Sequence, residues 1–240
     1  MFDHEIYSIF QKLNRRIKDI HYVETKQFPD QIKPLAEYYV TKRLNILNPP
    51  TRVDSRKGMP IPYLAYWVSD IFGLKDENMI TDLGLSLIYI SLVVSVRDDL
   101  VDNKLWSEHA HVCLANLYYD KYYSILKRII DTPSPFWSLL LDCLNEWGKY
   151  ESWSFLNKYN DQVDPLSERF LMGSSSYLVA ITLPTVAAIS FITNNEAKIP
   201  NLQKFLRNYW MGWKVMDDFR DWKKDLNTPN YTIHLSYFML

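Results

Sequence analysis

The residues of this chain best suited to chemistry are two acidic clusters that share the pattern DDxxD. Positions 98–102 read DDLVD, positions 217–221 read DDFRD, and Asp225 extends the second cluster by one helical turn. Residues four apart lie on one face of a helix, so each cluster predicts a stripe of carboxylates. Such carboxylates repel one another unless a cation lies between them. Mg²⁺ prefers oxygen ligands, and in enzymes it is usually bound by carboxylates together with substrate phosphates. The predicted metal ligands are Asp98, Asp102, Asp217, Asp221 and Asp225.

The first cluster directly follows a long apolar segment. Residues 83–96 read LGLSLIYISLVVSV and carry no charge. This composition predicts a buried helix, and carboxylates at the end of a buried helix are costly unless they are paired or bound to a metal. The position of Asp98 and Asp99 therefore favours a metal site over an ordinary solvated helix face.

The elements that must position these residues are predicted to be helices. Apolar residues recur at helical spacing almost throughout, no strand pattern persists, and there are only 6 glycines among 240 residues. Prolines fall between the periodic segments, except Pro184, which is predicted to kink its helix. We predict one all-α domain over residues 1–240. The predicted helices cover residues 3–21, 31–46, 60–74, 78–103, 107–130, 134–158, 165–195, 201–225 and 230–240.

Composition excludes several classes of function. The apolar content of 48% supports a large core, and the net charge of −1 offers no electrostatic basis for binding nucleic acid. The N-terminus is charged and amphipathic, unlike a signal peptide, and the longest uncharged apolar run is too short for a bilayer span. Cys113 and Cys143 have no CxxC spacing, which predicts buried free thiols in a reducing compartment. A cytoplasmic protein without a membrane span is expected.

A basic loop precedes the predicted helix at 60–74. Arg56 and Lys57 lie within it, and Pro60 suits the first turn of the helix. Basic residues near a helix start are well placed to bind an anion.

His109 and His111, two positions apart, point to different helix faces, and we interpret them as structural.

From about residue 50 to its end, the chain resembles the class I isoprenoid synthases, which comprise trans-prenyl diphosphate synthases and class I terpene cyclases of isoprenoid biosynthesis. The resemblance implies a class I terpenoid synthase helical bundle in which both acidic clusters face a central apolar cavity. It also implies a prenyl diphosphate substrate, three Mg²⁺ ions and a homodimer. The catalytic residues that it implies are Asp98, Asp99, Asp102, Asp217, Asp218, Asp221 and Asp225.

The resemblance also implies residues that bind the substrate diphosphate. Arg169 lies four residues before Gly173, which is similar to the diphosphate-sensing arginine of terpene cyclases, and Lys214 replaces a glutamine of prenyl synthases. The basic residues expected to bind the diphosphate are Arg56, Lys57, Arg169 and Lys214, of which Lys214 is itself a departure from the prenyl synthase pattern. Prenyl synthases carry a further arginine where this chain has Met59, and an Arg pair where it has residues 103–108. These departures favour a terpene synthase, a carbon–oxygen lyase acting on phosphates that ionises one prenyl diphosphate.

Other interpretations of the sequence stay open. The chain could be a trans-prenyl diphosphate synthase, by chain elongation or head-to-head condensation, or a non-catalytic subunit of such an enzyme. Only 15 residues follow Asp225. We therefore expect either missing C-terminal helices or a second subunit that completes the site.

Aromatic and small residues are candidates for the cavity wall. Aromatic rings can stabilise a carbocation by cation–π contact, although core packing is the favoured role for each ring taken singly. The aromatic candidates are Tyr63, Tyr66, Trp67, Tyr89, Trp210 and Trp213. Val93, Val94 and Ser95, just before the first cluster, are predicted to line the cavity floor.

Overall fold

The structure is a computed structural model, and it describes residues 15–16, 18–44, 61–101, 108–157 and 168–225. Every regular element within these ranges is a helix, and they contain no strand. The prediction of an all-α protein is therefore confirmed. The finer prediction, a terpenoid synthase bundle around a cavity, stays a prediction.

Seven α-helices are described. They are α1 (Lys33–Leu44), α2 (Ile61–Phe72), α3 (Glu77–Val101), α4 (Glu108–Ile129), α5 (Phe136–Asn157), α6 (Glu168–Ile192) and α7 (Ile199–Asp225). A short 3₁₀ helix, Glu196–Lys198, precedes α7, and residues 18–25 form a further helical segment. Each predicted helix between 31 and 225 is present, with ends that differ by two or three residues at most. The helix predicted at 230–240 lies outside the described residues.

The helical segment at the N-terminus ends later than predicted. We expected the helix to end at residue 21, but the helical conformation continues to residue 25. The Thr25 hydroxyl donates to the His21 carbonyl oxygen at 3.0 Å, which satisfies its polar group without interrupting the helix. Pro29 lies in the turn that follows.

A tight connection joins α2 to α3. Gly73 has a φ of 76°, a left-handed conformation that glycine adopts without steric cost. The backbone N–H of Leu74 donates to the carbonyl oxygen of Ser69 at 2.9 Å, which closes the end of α2. Asp76 then caps the start of α3, because its Oδ1 accepts hydrogen bonds from the backbone N–H groups of Asn78 and Met79 at 2.9 and 3.0 Å.

Helix α3 is the central core element, as its uncharged sequence predicted. It packs most extensively against α4 and also against α2. Leu83, Leu87 and Val93 are fully buried along it. Its serines do not leave buried polar groups unsatisfied, since the hydroxyls of Ser91 and Ser95 donate to carbonyl oxygens four residues earlier at 2.7 and 2.9 Å.

The length of α3 also meets the requirement for crossing a membrane. Among the described residues, the stretch Glu77–Leu100 is long and apolar enough for a span, and 72% of its most apolar window is buried within the protein. Packing against neighbouring helices accounts for its apolar composition, since buried core helices share it. Within the described ranges, this is consistent with the expectation of no membrane span.

Two compact units make up the chain. The first comprises Met1–Thr132 with Ala188–Asn194, and the second comprises Pro133–Ala187 with Asn195–Leu240. The first acidic cluster belongs to the first unit and the second cluster to the second unit. That the chain forms a single domain stays a prediction.

The core of the second unit contains a buried tryptophan with a polar partner. Trp210 on α7 is fully buried, and its indole Nε1–H donates to Thr182 Oγ1 on α6 at 3.0 Å. Helix α6 continues through Pro184 without a break, while a kink at that residue stays a prediction. On α5, Phe136, Leu140 and other residues at helical spacing form a buried face.

The two cysteines have different environments. Both are free thiols, as predicted, but Cys113 is exposed on α4, so the prediction that it is buried was wrong. Its position on the helix faces solvent together with that of Val112, which is 48% exposed, while Leu114 faces the core. Cys143 is buried, and burial raises the pKa of its thiol to about 12, with smaller contributions from Asp142 and Glu146.

Candidate functional site

The candidate site begins at the C-terminal end of α3, where two adjacent aspartates have opposite environments. Asp98 is exposed to solvent, whereas Asp99 is only 7% exposed. Successive residues on an α-helix project about 100° apart, so one side chain can leave the core while the next enters it. The structure exposes Asp98, the residue predicted to be a metal ligand, and buries Asp99, which was predicted to be catalytic but not to be a metal ligand.

A buried tyrosine from another helix holds the second aspartate. The hydroxyl of Tyr39, a fully buried residue of α1, donates to Asp99 Oδ2 at 2.7 Å. A hydrogen bond to an ionised carboxylate is shorter and stronger than one between neutral groups. It offsets part of the free energy that burying this carboxylate costs.

Helix α4 completes the surroundings of this tyrosine. His111 is 4% exposed, and its ring meets the Tyr39 ring edge to face, with centroids 6.0 Å apart and an interplanar angle of 86°. Helix α1 packs against both α3 and α4. The carboxylate of Asp99 thus lies where three helices converge. The burial of His111 agrees with its interpretation as a structural residue.

Most of the other predicted site residues are described only in part, or not at all. Arg56, Lys57 and Asp102 lie outside the described residues. Arg169 lies in the first turn of α6, and its side chain also lies outside the description, while Lys214 is half-buried on α7. The structure describes only the helical backbone of α7 at the following four residues: Asp217, Asp218, Asp221 and Asp225.

The backbone of α7 agrees with the helical stripe that the second cluster predicts. The helix continues without interruption from Ile199 to Asp225, so the four-residue spacing of the acidic positions spans two helical turns. That the two clusters face each other across a cavity stays a prediction.

The part of the chain that the structure describes contains no group of three His, Cys, Asp or Glu side chains that could hold a metal ion. Asp102 and the side chains of the second cluster lie outside that part of the chain. The predicted donors are all carboxylates, with no thiolate or imidazole among them, and this chemistry fits Mg²⁺ rather than Zn²⁺. The magnesium site stays a prediction.

Sequence reasoning missed Tyr39 as a partner of the acidic cluster. The two residues are separated by 60 positions, and Tyr39 belongs to no motif. Helical periodicity can indicate that a tyrosine faces a core, but not which carboxylate it meets there. No sequence signal could have paired them.

The aromatic candidates for a cavity wall differ in burial. Tyr89 and Trp210 are fully buried, and their side chains donate hydrogen bonds to Glu24 and Thr182, which agrees with packing roles. Tyr63 and Trp67 on α2 are only half-buried, with ring centroids 6.3 Å apart.

A second buried polar cluster fastens the N-terminal helical segment. The His21 ring stacks on Tyr89 of α3 at 5.5 Å and lies 5.9 Å from the Tyr118 ring of α4. The Tyr89 hydroxyl donates to Glu24, and Lys121 Nζ lies 3.8 Å from the other Glu24 oxygen. Neither ring nitrogen of His21 has a hydrogen-bond partner within the described ranges. Burial lowers the pKa of His21 to about 4 and raises that of Glu24.

The buried imidazole predicts a loss of stability in mild acid. Between the ordinary pKa of 6.5 and the folded value of about 4, the unfolded chain binds a proton at residue 21 that the folded protein does not. The free energy of unfolding should therefore fall as the pH drops through this range, by about 3 kcal/mol in total. Denaturant unfolding between pH 7 and pH 4 measures this slope, and His21→Phe should flatten it.

Comparing wild type with His21→Phe separates the contribution of His21 to the pH dependence of stability from that of Glu24. The raised pKa of Glu24 acts in the opposite direction, because its contribution to stability is present below pH 4.5 and is lost as the pH rises. Glu24 is the same in both proteins, so the difference between their slopes reports His21. Tyr22→Phe, a change at an exposed position of the same segment, is the control. Equal slopes for wild type and His21→Phe would contradict the prediction.

Comparison of the chain with protein-family models, with curated proteins and with solved structures finds no match. A function must therefore be argued from the residues themselves. These are an exposed carboxylate beside an anchored one at the end of α3, and four aspartates on the last two turns of α7.

Proposed function

We propose that this protein is a Mg²⁺-dependent class I terpene synthase that ionises a prenyl diphosphate, releases pyrophosphate and guides the carbocation to a terpene product. The observation that carries the proposal is the end of α3. A largely buried helix of 25 residues exposes Asp98 in its last turn, while the neighbouring Asp99 is anchored in the core. A carboxylate presented on a rigid buried element suits a metal site, because its position is defined by packing.

The chain offers oxygen ligands for the metal and basic groups for the substrate. The residues that would hold Mg²⁺ are Asp98, Asp102, Asp217, Asp221 and Asp225. When bound, the metal neutralises negative charge on a diphosphate and so assists its departure. Arg56, Lys57, Arg169 and Lys214 bind the diphosphate and stabilise the negative charge that develops as the C–O bond breaks.

The apolar part of α3 that precedes the acidic cluster serves a second purpose in this proposal. Val94 and Ser95 are half-buried, whereas Val93 is fully buried. Val94 and Ser95 thus remain candidates for the cavity floor, and Val93 contributes to packing behind them. An apolar wall excludes water, which protects the carbocation from premature capture.

Pyrophosphate release tests the proposal directly. The full chain is incubated with Mg²⁺ and with geranyl, farnesyl or geranylgeranyl diphosphate, each with and without isopentenyl diphosphate. We expect release from a single prenyl diphosphate together with a hydrocarbon or alcohol product, and no release when the metal is chelated. Release only in the presence of isopentenyl diphosphate would replace the lyase proposal with chain elongation. A folded protein that releases no pyrophosphate in any mixture would contradict both enzymatic functions.

A further inference from the structure

We infer that Tyr39 and Asp99 form a positioning pair, in which the α1 tyrosine anchors the end of α3 so that Asp98 is presented to the metal. This inference rests on the proposed function. Asp98 is the predicted ligand. Asp99, which the family resemblance placed among the catalytic residues, is instead a positioning residue that Tyr39 holds and that touches neither metal nor substrate.

Burial and hydrogen bonding support the anchoring role of Asp99. Asp99 is 7% exposed, and its Oδ2 accepts a hydrogen bond from the Tyr39 hydroxyl at 2.7 Å. A metal that retains several water molecules and binds substrate phosphates needs a ligand that solvent can reach. Asp98 meets this requirement, because it is exposed.

The tyrosine is itself held in place, which allows it to act as an anchor. The ring of Tyr39 is fully buried and lies edge to face with both Tyr38, at 5.4 Å, and His111, at 6.0 Å. Rings packed in this way have few accessible rotamers. The direction of the hydroxyl is therefore determined by α1 and α4.

The helix backbone transmits this constraint to the neighbouring residue. Adjacent side chains are related by a rotation of about 100°, so fixing the direction of Asp99 also fixes the direction in which Asp98 leaves the helix. The constraint acts at the last residues of α3, which ends at Val101, where helices ordinarily fray. Loss of the anchor would let the last turn reorient and would weaken the metal site without removing a ligand.

Tyr39→Phe removes the hydroxyl and keeps the ring, and Tyr38→Phe is the matched control, because Tyr38 is the adjacent residue and is 41% exposed. The first readout is binding of Mn²⁺ without substrate, followed by electron paramagnetic resonance. The second is pyrophosphate release, and circular dichroism checks that each variant is folded. We expect Tyr39→Phe to weaken Mn²⁺ binding and to lower turnover by about tenfold each, as removal of outer-shell partners does. Tyr38→Phe should match wild type in both readouts. Wild-type Mn²⁺ binding and turnover in a folded Tyr39→Phe variant would overturn the inference.

Asp99→Asn tests the division of tasks independently and remains informative if Tyr39→Phe does not fold. Asparagine keeps a carbonyl oxygen that can accept a hydrogen bond from the Tyr39 hydroxyl, but it lacks the negative charge that a metal ligand would supply. We expect Asp99→Asn to retain Mn²⁺ binding within a few-fold of wild type, whereas Asp98→Asn should lose it. If both variants lost Mn²⁺ binding equally, Asp99 would be a ligand. That result would overturn the inference but leave the proposed metal site intact. Unchanged Mn²⁺ binding in Asp98→Asn would overturn the proposed metal site and the inference with it.

Discussion

Replacing Asp98 by asparagine is expected to reduce metal-dependent pyrophosphate release by about two to three orders of magnitude, the loss seen when one well-placed electrostatic group is removed from an active site. Asparagine preserves the size of the side chain and removes its charge. Because Asp98 is exposed at the end of α3, the fold should tolerate the change. The measurement is turnover with saturating prenyl diphosphate over a range of Mg²⁺ concentrations.

The control for this variant is Asp120→Asn. Asp120 is an exposed aspartate of α4 in the same unit, so the change removes the same charge from a helix surface without touching the acidic cluster. Turnover should stay at the wild-type level in the control. If Asp98→Asn retained near-normal turnover, Asp98 could not be a ligand of the catalytic metal.

Truncating Trp210 to alanine is expected to lower the free energy of unfolding by about 3–5 kcal/mol, the typical cost of removing a large aromatic side chain from a core. The residue is fully buried, and its ring meets that of Tyr209 with centroids 5.0 Å apart. The change also removes the hydrogen bond that Nε1–H donates to Thr182. Denaturant unfolding followed by circular dichroism measures the loss.

Two further variants separate the contribution of the buried indole ring to stability from that of its hydrogen bond. Phe205→Ala changes another aromatic residue of α7 that is 46% exposed, and it should cost about 1 kcal/mol or less. Thr182→Val leaves the tryptophan in place but removes its acceptor, and an unsatisfied buried donor costs about 1–3 kcal/mol. A loss for Trp210→Ala no larger than that for Phe205→Ala would show that the indole does not hold the second unit together.

Local sequence patterns were sufficient to predict the helices. Residues 83–96 carry no charge over four turns, which predicted a core helix, and most of this segment of α3 is buried. The breaks at prolines were equally predictable, because proline acts through its own backbone. The break at Gly73 was not predicted: the helix expected over 60–74 ran through this glycine, whereas α2 ends at Phe72. The spacing of the second acidic cluster likewise required only that α7 continue to Asp225.

Contacts between residues far apart in sequence could not be predicted in the same way. The four-residue spacing selected Asp98 rather than Asp99 as a metal ligand, but it could not show that Asp99 is buried, because burial depends on how α3 is rotated against its neighbours. The same is true of Cys113, whose apolar surroundings in sequence suggested burial while α4 turns it to solvent.

Local periodicity therefore established an all-α chain with two acidic clusters on helices, because backbone preferences and hydrophobic spacing act within a few turns. Packing established that Tyr39 anchors Asp99 and that His21 lies buried against two tyrosines. These pairings depend on which helix faces meet, and that choice minimises the free energy of the whole core rather than that of any one segment.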